Sequence, residues 1–308
     1  MLRIKVLRPG LLTTVQDMGR RGYEHLGIMV GGHLDDYAAA WANRLVNNPP
    51  GSALLEITLL GPELEALDDG WAALAGADLG AYIGESRWSP GHSRYLKTGD
   101  RIGFSGIKRG ARAYLAFAGG IDVPDILGSR STDLVSKFGG FEGRGLKPGD
   151  VLNYHGGEAQ LMAAPVESGL CREKIRILPG VHLTRFSQDT WNRLQTANFR
   201  VSPHSDRIGI RLEGDALSAA SLRGDAISEG LAIGSIEVPP SGELLILLKS
   251  RGSIGGYPTI AHVIQADWPV LAQLKPGDRV HLRGVSAVEA REALEEQRTW
   301  LNLDPTPI

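Results

Sequence analysis

Four stretches of this sequence set hydroxyl, carboxyl and guanidinium groups between glycines. That composition binds small polar ligands through side chains and closely approaching backbone together. The first is Thr13-Thr14-Val15-Gln16-Asp17-Met18-Gly19-Arg20-Arg21-Gly22. It offers an amide, a carboxylate and guanidinium forks to an anionic or amide ligand, or an Asp17–Arg20 pair closing a turn. The second, Leu127-Gly128-Ser129-Arg130-Ser131-Thr132, puts two hydroxyls beside an arginine and is followed by Gly139-Gly140 and Gly143-Arg144. It suits a carboxylate or phosphate; the plainer alternative is a solvated loop with an Asp133–Arg130 pair. In the third, Ser205-Asp206-Arg207-Ile208-Gly209-Ile210-Arg211-Leu212, a strand would place Arg207 and Arg211 on one face and Ile208, Ile210 and Leu212 on the other. Asp206 there orients Arg207 or accepts an amide proton, unless it forms a structural pair with a neighbouring arginine. The fourth, Ser253-Ile254-Gly255-Gly256-Tyr257-Pro258-Thr259, combines paired glycines with a tyrosine hydroxyl and stacking face, or is a simple hairpin turn.

Composition limits what these clusters serve. The 308 residues carry 33 Lys and Arg against 35 Asp and Glu, so no basic footprint for nucleic acid or an anionic membrane exists. Hydrophobic residues make up 42% and charged residues 22%, the profile of a folded core rather than a disordered chain. No G-x-G-x-x-G or G-x-x-x-x-G-K-[ST] occurs, and Gly103-Phe104-Ser105-Gly106 has the wrong spacing for a nucleophile elbow. The eight histidines are scattered without ligand spacing, so no metal is expected; His33 near Asp35 and Asp36 is better explained by carboxylates at a helix start. No lysine is flanked by methionines, which leaves no biotin attachment site. Cys171 is the only cysteine, in a polar stretch that reads as linker, so a reducing cytoplasm is the default compartment and a nucleophilic role is not expected. The opening MLRIKVLRPG alternates charge and apolar residues and does not read as a signal peptide.

The elements that must position the clusters read as mostly β with a few short helices. Glycine is in excess, 40 residues, and with 17 prolines it punctuates short apolar runs throughout the chain. Arg112–Ala118 and Glu243–Leu248 read as buried strands. Leu34, Tyr37, Ala38, Trp41 and Leu45 trace one helical face, with Asp35 and Asp36 in its first turn and Pro49-Pro50 beyond its end. Ser187 caps a second helix carrying Trp191 against Phe186, and Ser286 with Glu289 forms a capping box for a third that runs through Leu294. Two motifs recur in order: a strand ending in Pro-Gly from Ile4 and again from Ile175, and Leu-Lys-Pro-Gly-Asp from Leu146 and again from Leu274. The order predicts a duplicated β domain, 1–158 and 174–308, with Ala159 to Glu173 as linker.

The runs PGLLTTVQDMGRRGY, GGHLDDYAAAWANRLVNN, AFAGGIDVPDILGSRSTD, SDRIGIRLEG, GSIEVPPSGE and GGYPTIAHVIQAD, with others between them, resemble the biotin-dependent carboxyltransferase family. This is the family of the 5-oxoprolinase C subunit and of the second component of allophanate hydrolase, with the carboxyltransferase region of urea carboxylase as a close relative. The resemblance covers roughly residues 3 to 285. It implies two cyclophilin-like β-barrel domains arising from duplication, separately encoded A and B subunits of 5-oxoprolinase as partners, and ATP-dependent opening of 5-oxo-L-proline to L-glutamate. It implies no covalently bound cofactor: ATP is used by the complex and biotin enters only in trans. A urea or amide carboxyltransferase, and a regulatory module that engages a homologue of the B subunit without chemistry, are the alternatives. Where relatives commonly read Asp-x-Gln-Thr-Thr-Gly-Gly-Tyr, this chain has Ser250, Gly252, Ser253 and Ile254 before Gly255-Gly256-Tyr257. Glu237 stands where glutamine is usual, and His33-Leu34 replaces Ala-Met before Asp35. The expected site is Asp206, Arg207 and Tyr257 as catalytic residues. Gln16, Asp35, Arg130, Ser131, Ser205, Gly255 and Gly256 are expected to bind substrate.

Overall fold

The computed structural model describes residues 1–160, 174–214 and 227–301, so Cys171 and most of the expected linker lie outside the described residues. The chain divides into two compact units, Met1–Arg21 with Val30–Leu170 and Gly22–Met29 with Cys171–Ile308. The short piece Gly22–Met29 thus groups with the second unit although it lies in the first half of the sequence.

The first unit is two sheets over one core. The seven-stranded sheet runs Ile121–Asp122, Val151–Tyr154, Leu2–Arg8, Glu63–Ala66, Arg101–Phe104, Ala81–Ile83 and Ser86–Arg87. The five-stranded sheet runs Leu12–Gln16, Leu54–Thr58, Arg109–Phe117, Gly70–Asp78 and His92–Leu96. Alternation places Ile4, Val6, Leu64 and Ile102 from one sheet against Val15, Ile57, Leu74 and Leu115 from the other, all fully buried. Each such side chain contributes about 1.5–3 kcal/mol by leaving water. Helix α1 (Asp36–Leu45) packs on Gly70–Asp78 and Arg109–Phe117. Gly76 permits that approach: at φ +85° a side chain there would meet Arg112 O at 2.6 Å and Ala38 Cβ at 3.3 Å.

The second unit is a near-closed barrel. Its eight strands are ordered Arg279–Val280, Phe199–Val201, Gly209–Glu213, Leu244–Leu247, Ser235–Glu237, Thr259–Val263, Ile175–Pro179 and Leu282–Gly284. The first and last are consecutive in sequence, separated only by His281. One residue cannot span an open sheet, so the two edges must curl together. A two-stranded ribbon, Glu229–Gly230 with Ile254–Gly255, accompanies the barrel. Among the described residues three α-helices accompany it: α2 (Gln188–Thr196), α3 (Trp268–Gln273) and α4 (Ala287–Leu301).

The capping expectations hold. Ser187 Oγ accepts from Thr190 N–H at 3.1 Å, and Ser286 and Glu289 bond reciprocally at 2.9 and 3.2 Å. Helix α4 runs on past Leu294 to Leu301, and α3 goes unread because it has only six residues, most of them buried. Both Leu-Lys-Pro-Gly-Asp motifs form one turn: Lys147 and Lys275 N–H donate to Asp150 and Asp278 Oδ2 at 2.7 and 3.0 Å. Gly149 and Gly277 take φ +91° and +87°. Leu96-Lys97-Thr98-Gly99-Asp100 is a third copy, with Lys97 N–H at 2.8 Å from Asp100 Oδ2 and Gly99 at φ +92°. Among the described residues no helix is long and apolar enough to cross a membrane.

Candidate functional site

In the first unit the first and second clusters are tied together by Asp17, which the sequence marks as a ligand carboxylate or as one half of a turn pair with Arg20. Its Oδ1 accepts from Ser129 Oγ at 2.6 Å, Ser131 Oγ at 2.5 Å and Gly19 N–H at 2.9 Å. Its Oδ2 accepts from Arg130 N–H at 2.5 Å. Burial opposes the charge on Asp17, but these donors outweigh it and hold the carboxyl below the usual range. Arg20 is buried above the Phe138 ring at 4.7 Å and donates from Nη2 to Ser131 O at 2.7 Å. Burial pulls its guanidinium below the ordinary value despite the charges of Asp17, Asp133 and Asp125. Neither expected structural pair accounts for these groups. Asp17 binds serines, Arg130 Nε donates to Val123 O at 3.0 Å, and Asp133 Oδ1 accepts from Val135 and Ser136 N–H at 2.9 Å.

What this knot leaves for chemistry is specific. Gln16 ends the strand Leu12–Gln16 and donates to Thr14 Oγ1 at 3.1 Å and Thr132 O at 3.2 Å, while its Oε1 is buried with no partner among the described residues. Arg20 Nη1 is likewise buried without one. Ser131 is committed: its Oγ donates to Asp17 Oδ1 and accepts Asp17 N–H at 3.0 Å. Asp35 is the N-cap of α1, its Oδ1 accepting from Ala38 N–H at 2.9 Å. Around it Tyr114 Oη donates to Glu56 Oε2 at 2.9 Å, and burial pushes that phenol well up. His33 Nδ1 lies 2.7 Å from Asp36 Oδ1.

In the second unit the third cluster is tied by backbone to the segment just before the fourth, Ser250 N–H donating to Arg207 O at 3.2 Å. The expected alternation fails at Arg207. The strand begins only at Gly209, because Asp206 Oδ1 accepts from Ile208 and Gly209 N–H at 2.7 and 3.1 Å and closes a turn. Arg207 is therefore buried and Ile208 exposed, the reverse of a continued strand, while Ile210 and Leu212 face inward as expected. Burial alone lowers the Arg207 guanidinium to about 10. Ser205 Oγ bridges to Arg211, accepting its N–H at 3.1 Å.

Gly255 lies in the ribbon opposite Glu229; Gly256 is exposed, and Tyr257 is 45% exposed. A side chain at 255 would bring its Cβ within 2.6 Å of Leu231 Cδ1 and 3.2 Å of Glu237 Oε1. Glu237 itself is buried, with Oε1 unpartnered among the described residues. Burial, helped by the charge of Glu229, pushes it up to about 7. The sequence singles it out only as a departure from a pattern.

The chain is mostly β, with buried polar groups beside glycine-rich loops in each unit. The family described as "Carboxyltransferase domain, subdomain A and B" matches residues 26–284, and the chain belongs to that family. It is 38% identical to the 5-oxoprolinase C subunit of Escherichia coli strain K12 over 96% of each chain. It is 31% identical to the 5-oxoprolinase C subunit of Haemophilus influenzae, over 94% of this chain and 93% of that one. The crystal structure of Kluyveromyces lactis urea carboxylase superposes with a TM-score of 0.88 at 30% identity. There 97% of this chain covers 29% of that much longer protein.

Proposed function

We propose that this chain is the C subunit of an ATP-dependent 5-oxoprolinase-type assembly. In that assembly it is a carboxyltransferase-like chain acting on a small cyclic amide, 5-oxo-L-proline, with A and B subunits. The observation that carries this reading is the 38% identity to the Escherichia coli protein, which extends over 96% of both chains. The chemistry of the site is in keeping with it. Arg207 is a buried cation suited to a carboxylate, Asp206 closes the turn beside it, and Tyr257 is exposed in the same unit. In the second unit substrate is held further by Ser205, Gly255 and Gly256; Gln16 and Arg130 are the groups the first unit offers by itself, with Ser131 and Asp35 acting there through Asp17 and α1. In this reading the chain holds no covalent cofactor and no metal. ATP is consumed by the assembly, and biotin enters only in trans.

The test is reconstitution. The chain with the A and B subunits should release glutamate from 5-oxo-L-proline with ATP. Arg207→Ala and Asp206→Ala should each lower kcat/KM by about tenfold or more, the loss of one charge-assisted hydrogen bond, while the assembly itself still forms. The likeness to urea carboxylase favours a second reading, carboxylation of an amide by carboxybiotin. ATP-dependent fixation of labelled bicarbonate onto urea, with no glutamate formed, would select it. A complete assembly inert toward lactams and ureas alike would sink both and leave a regulatory module.

A further inference from the structure

Glu237 ends the strand Ser235–Glu237, opposite Leu245 on one side and Thr259 on the other. Alternation turns Ser235 to the same face and Ile236 to the opposite one. On that face His262 Nδ1 lies 3.1 Å from Ser235 Oγ, and burial lowers the imidazole's affinity for a proton. The ribbon lies close against it: a Cβ at Gly255 would stand 3.2 Å from Glu237 Oε1 and 2.6 Å from Leu231 Cδ1, so the glycine lets the backbone approach the carboxyl. Glu229, in the ribbon, is 3.6 Å from His182 Nδ1, and that nitrogen accepts Thr259 N–H at 3.1 Å. Arg251 holds the ribbon's flank, donating from Nε to Leu231 O at 2.8 Å. Among the described residues Glu229 is the charged group that acts on Glu237, and Glu229 in turn lies beside His182 and acts on His262.

Glu237 is 3% exposed, with no described donor for Oε1, so its charged form is disfavoured and a carboxylic acid persists toward neutrality. A carboxylic acid presents an O–H and a C=O side by side. A cis amide presents a C=O and an N–H side by side, and the two close a ring of two hydrogen bonds. A trans amide cannot, because its N–H and C=O point apart. The ribbon above the carboxyl is two residue pairs long, Glu229 with Gly255 and Gly230 with Ile254, so parting it breaks few hydrogen bonds.

The geometry points to Glu237 as the group that binds the amide itself, its carboxyl O–H and C=O pairing with the C=O and N–H of a cis amide such as a lactam or urea. The inference deepens the small-amide reading above and rests on it. Its test uses the full chain with 2-pyrrolidinone, 5-oxo-L-proline and urea as probes, and N-methyl-2-pyrrolidinone, which lacks the N–H, as control. Binding is followed by calorimetry and by the acid C=O band of glutamate-labelled protein. The band should shift on adding each probe but not the control. Glu237→Gln, whose amide makes the same two bonds, should bind within about threefold of wild type, and Glu237→Ala should lose roughly tenfold or more. Wild-type affinity should fall above neutral pH while that of Glu237→Gln stays level. Equal binding by Glu237→Ala, equal binding of the N-methylated lactam, or no binding of any probe would overturn the proposal. If the complete assembly turns over 5-oxo-L-proline with an unchanged KM in Glu237→Ala, the proposal fails and the 5-oxoprolinase reading stands. If no turnover occurs but urea binds in a Glu237-dependent way, the reverse holds.

Discussion

Replacing Glu237 with glutamine should stabilise the second unit, by an amount that depends on pH in one direction only. In the unfolded chain this carboxyl titrates near 4.5, and in the folded protein burial raises it to about 7. Below pH 4.5 both states are protonated and Glu237 takes no part in pH dependence. Between 4.5 and 7 the unfolded state has released its proton while the folded state keeps it, so stability falls as pH rises. Above 7 both are ionised and the loss is complete. At about 1.4 kcal/mol per pH unit, the raised value amounts to roughly 3 kcal/mol. Glutamine has the same shape and no charge, so the variant should lack this loss. Urea unfolding of wild type and Glu237→Gln at half-unit steps from pH 4 to 8 isolates it, since every other titrating group is common to both proteins. The difference curve should rise through this window and then level off. Parallel curves across the window would show that Glu237 is not held protonated, and the argument about its burial would be wrong.

Other perturbations follow from the same contacts. Asp17→Asn turns an amide donor toward donors now bonded to the carboxylate and should cost about 3 kcal/mol in chemical denaturation. Because the Asp17 carboxyl is held low, its contribution is present above the ordinary aspartate value and is lost as pH falls through the folded one, so wild type but not Asp17→Asn should show that acid loss. Asp35→Ala removes the cap of α1 and should lower stability by about 1 kcal/mol in thermal melts. Gly139→Ala sets a methyl 2.3 Å from Ser131 O and 2.6 Å from Arg20 Nη2 at φ +69°. It should destabilise the Asp17 knot by about 1–3 kcal/mol, visible as faster exchange of the Arg130 amide.

Local signals are legible in the sequence and distant ones are not. Helix α1 can be read because its apolar period, first-turn acids and terminal prolines lie within a dozen or so residues, as do the Ser187 and Ser286 caps. Helix α3 carries no such signal: Pro269 opens it, but six residues are too few to show a period. The Asp206–Arg207 turn defeats the alternation because one carboxylate bonding two residues onward reorients the chain locally, which a period-two reading cannot see. Gln16 and Ser131 stand out in separate clusters, and the structure brings those clusters together. The residue that joins them, Asp17, has partners 112 to 114 positions away, and no spacing rule links residues so far apart.

Two of the buried carboxyls, Asp17 and Glu237, answer the same desolvation problem in opposite ways, and the difference assigns their roles. Asp17 is surrounded by two hydroxyls and two backbone N–H groups, so it remains charged and its hydrogen-bonding capacity is used within the protein. Such a group fixes loops and has little left for a ligand. Glu237 has no donor at Oε1 among the described residues, feels the charge of a second carboxylate in Glu229 and sits against a glycine. Nothing in the fold requires an acid there, since an apolar side chain of similar size would satisfy the packing without the unpaired oxygen. An unsatisfied group retained beside a two-pair ribbon is unfavourable for folding alone, and an incoming amide that bonds both of its oxygens would remove the deficit. Stability and recognition therefore make opposed demands at Glu237. Apolar replacement, Glu237→Met, should raise the unfolding free energy while abolishing amide binding, and a variant that gained one without losing the other would break the link between them.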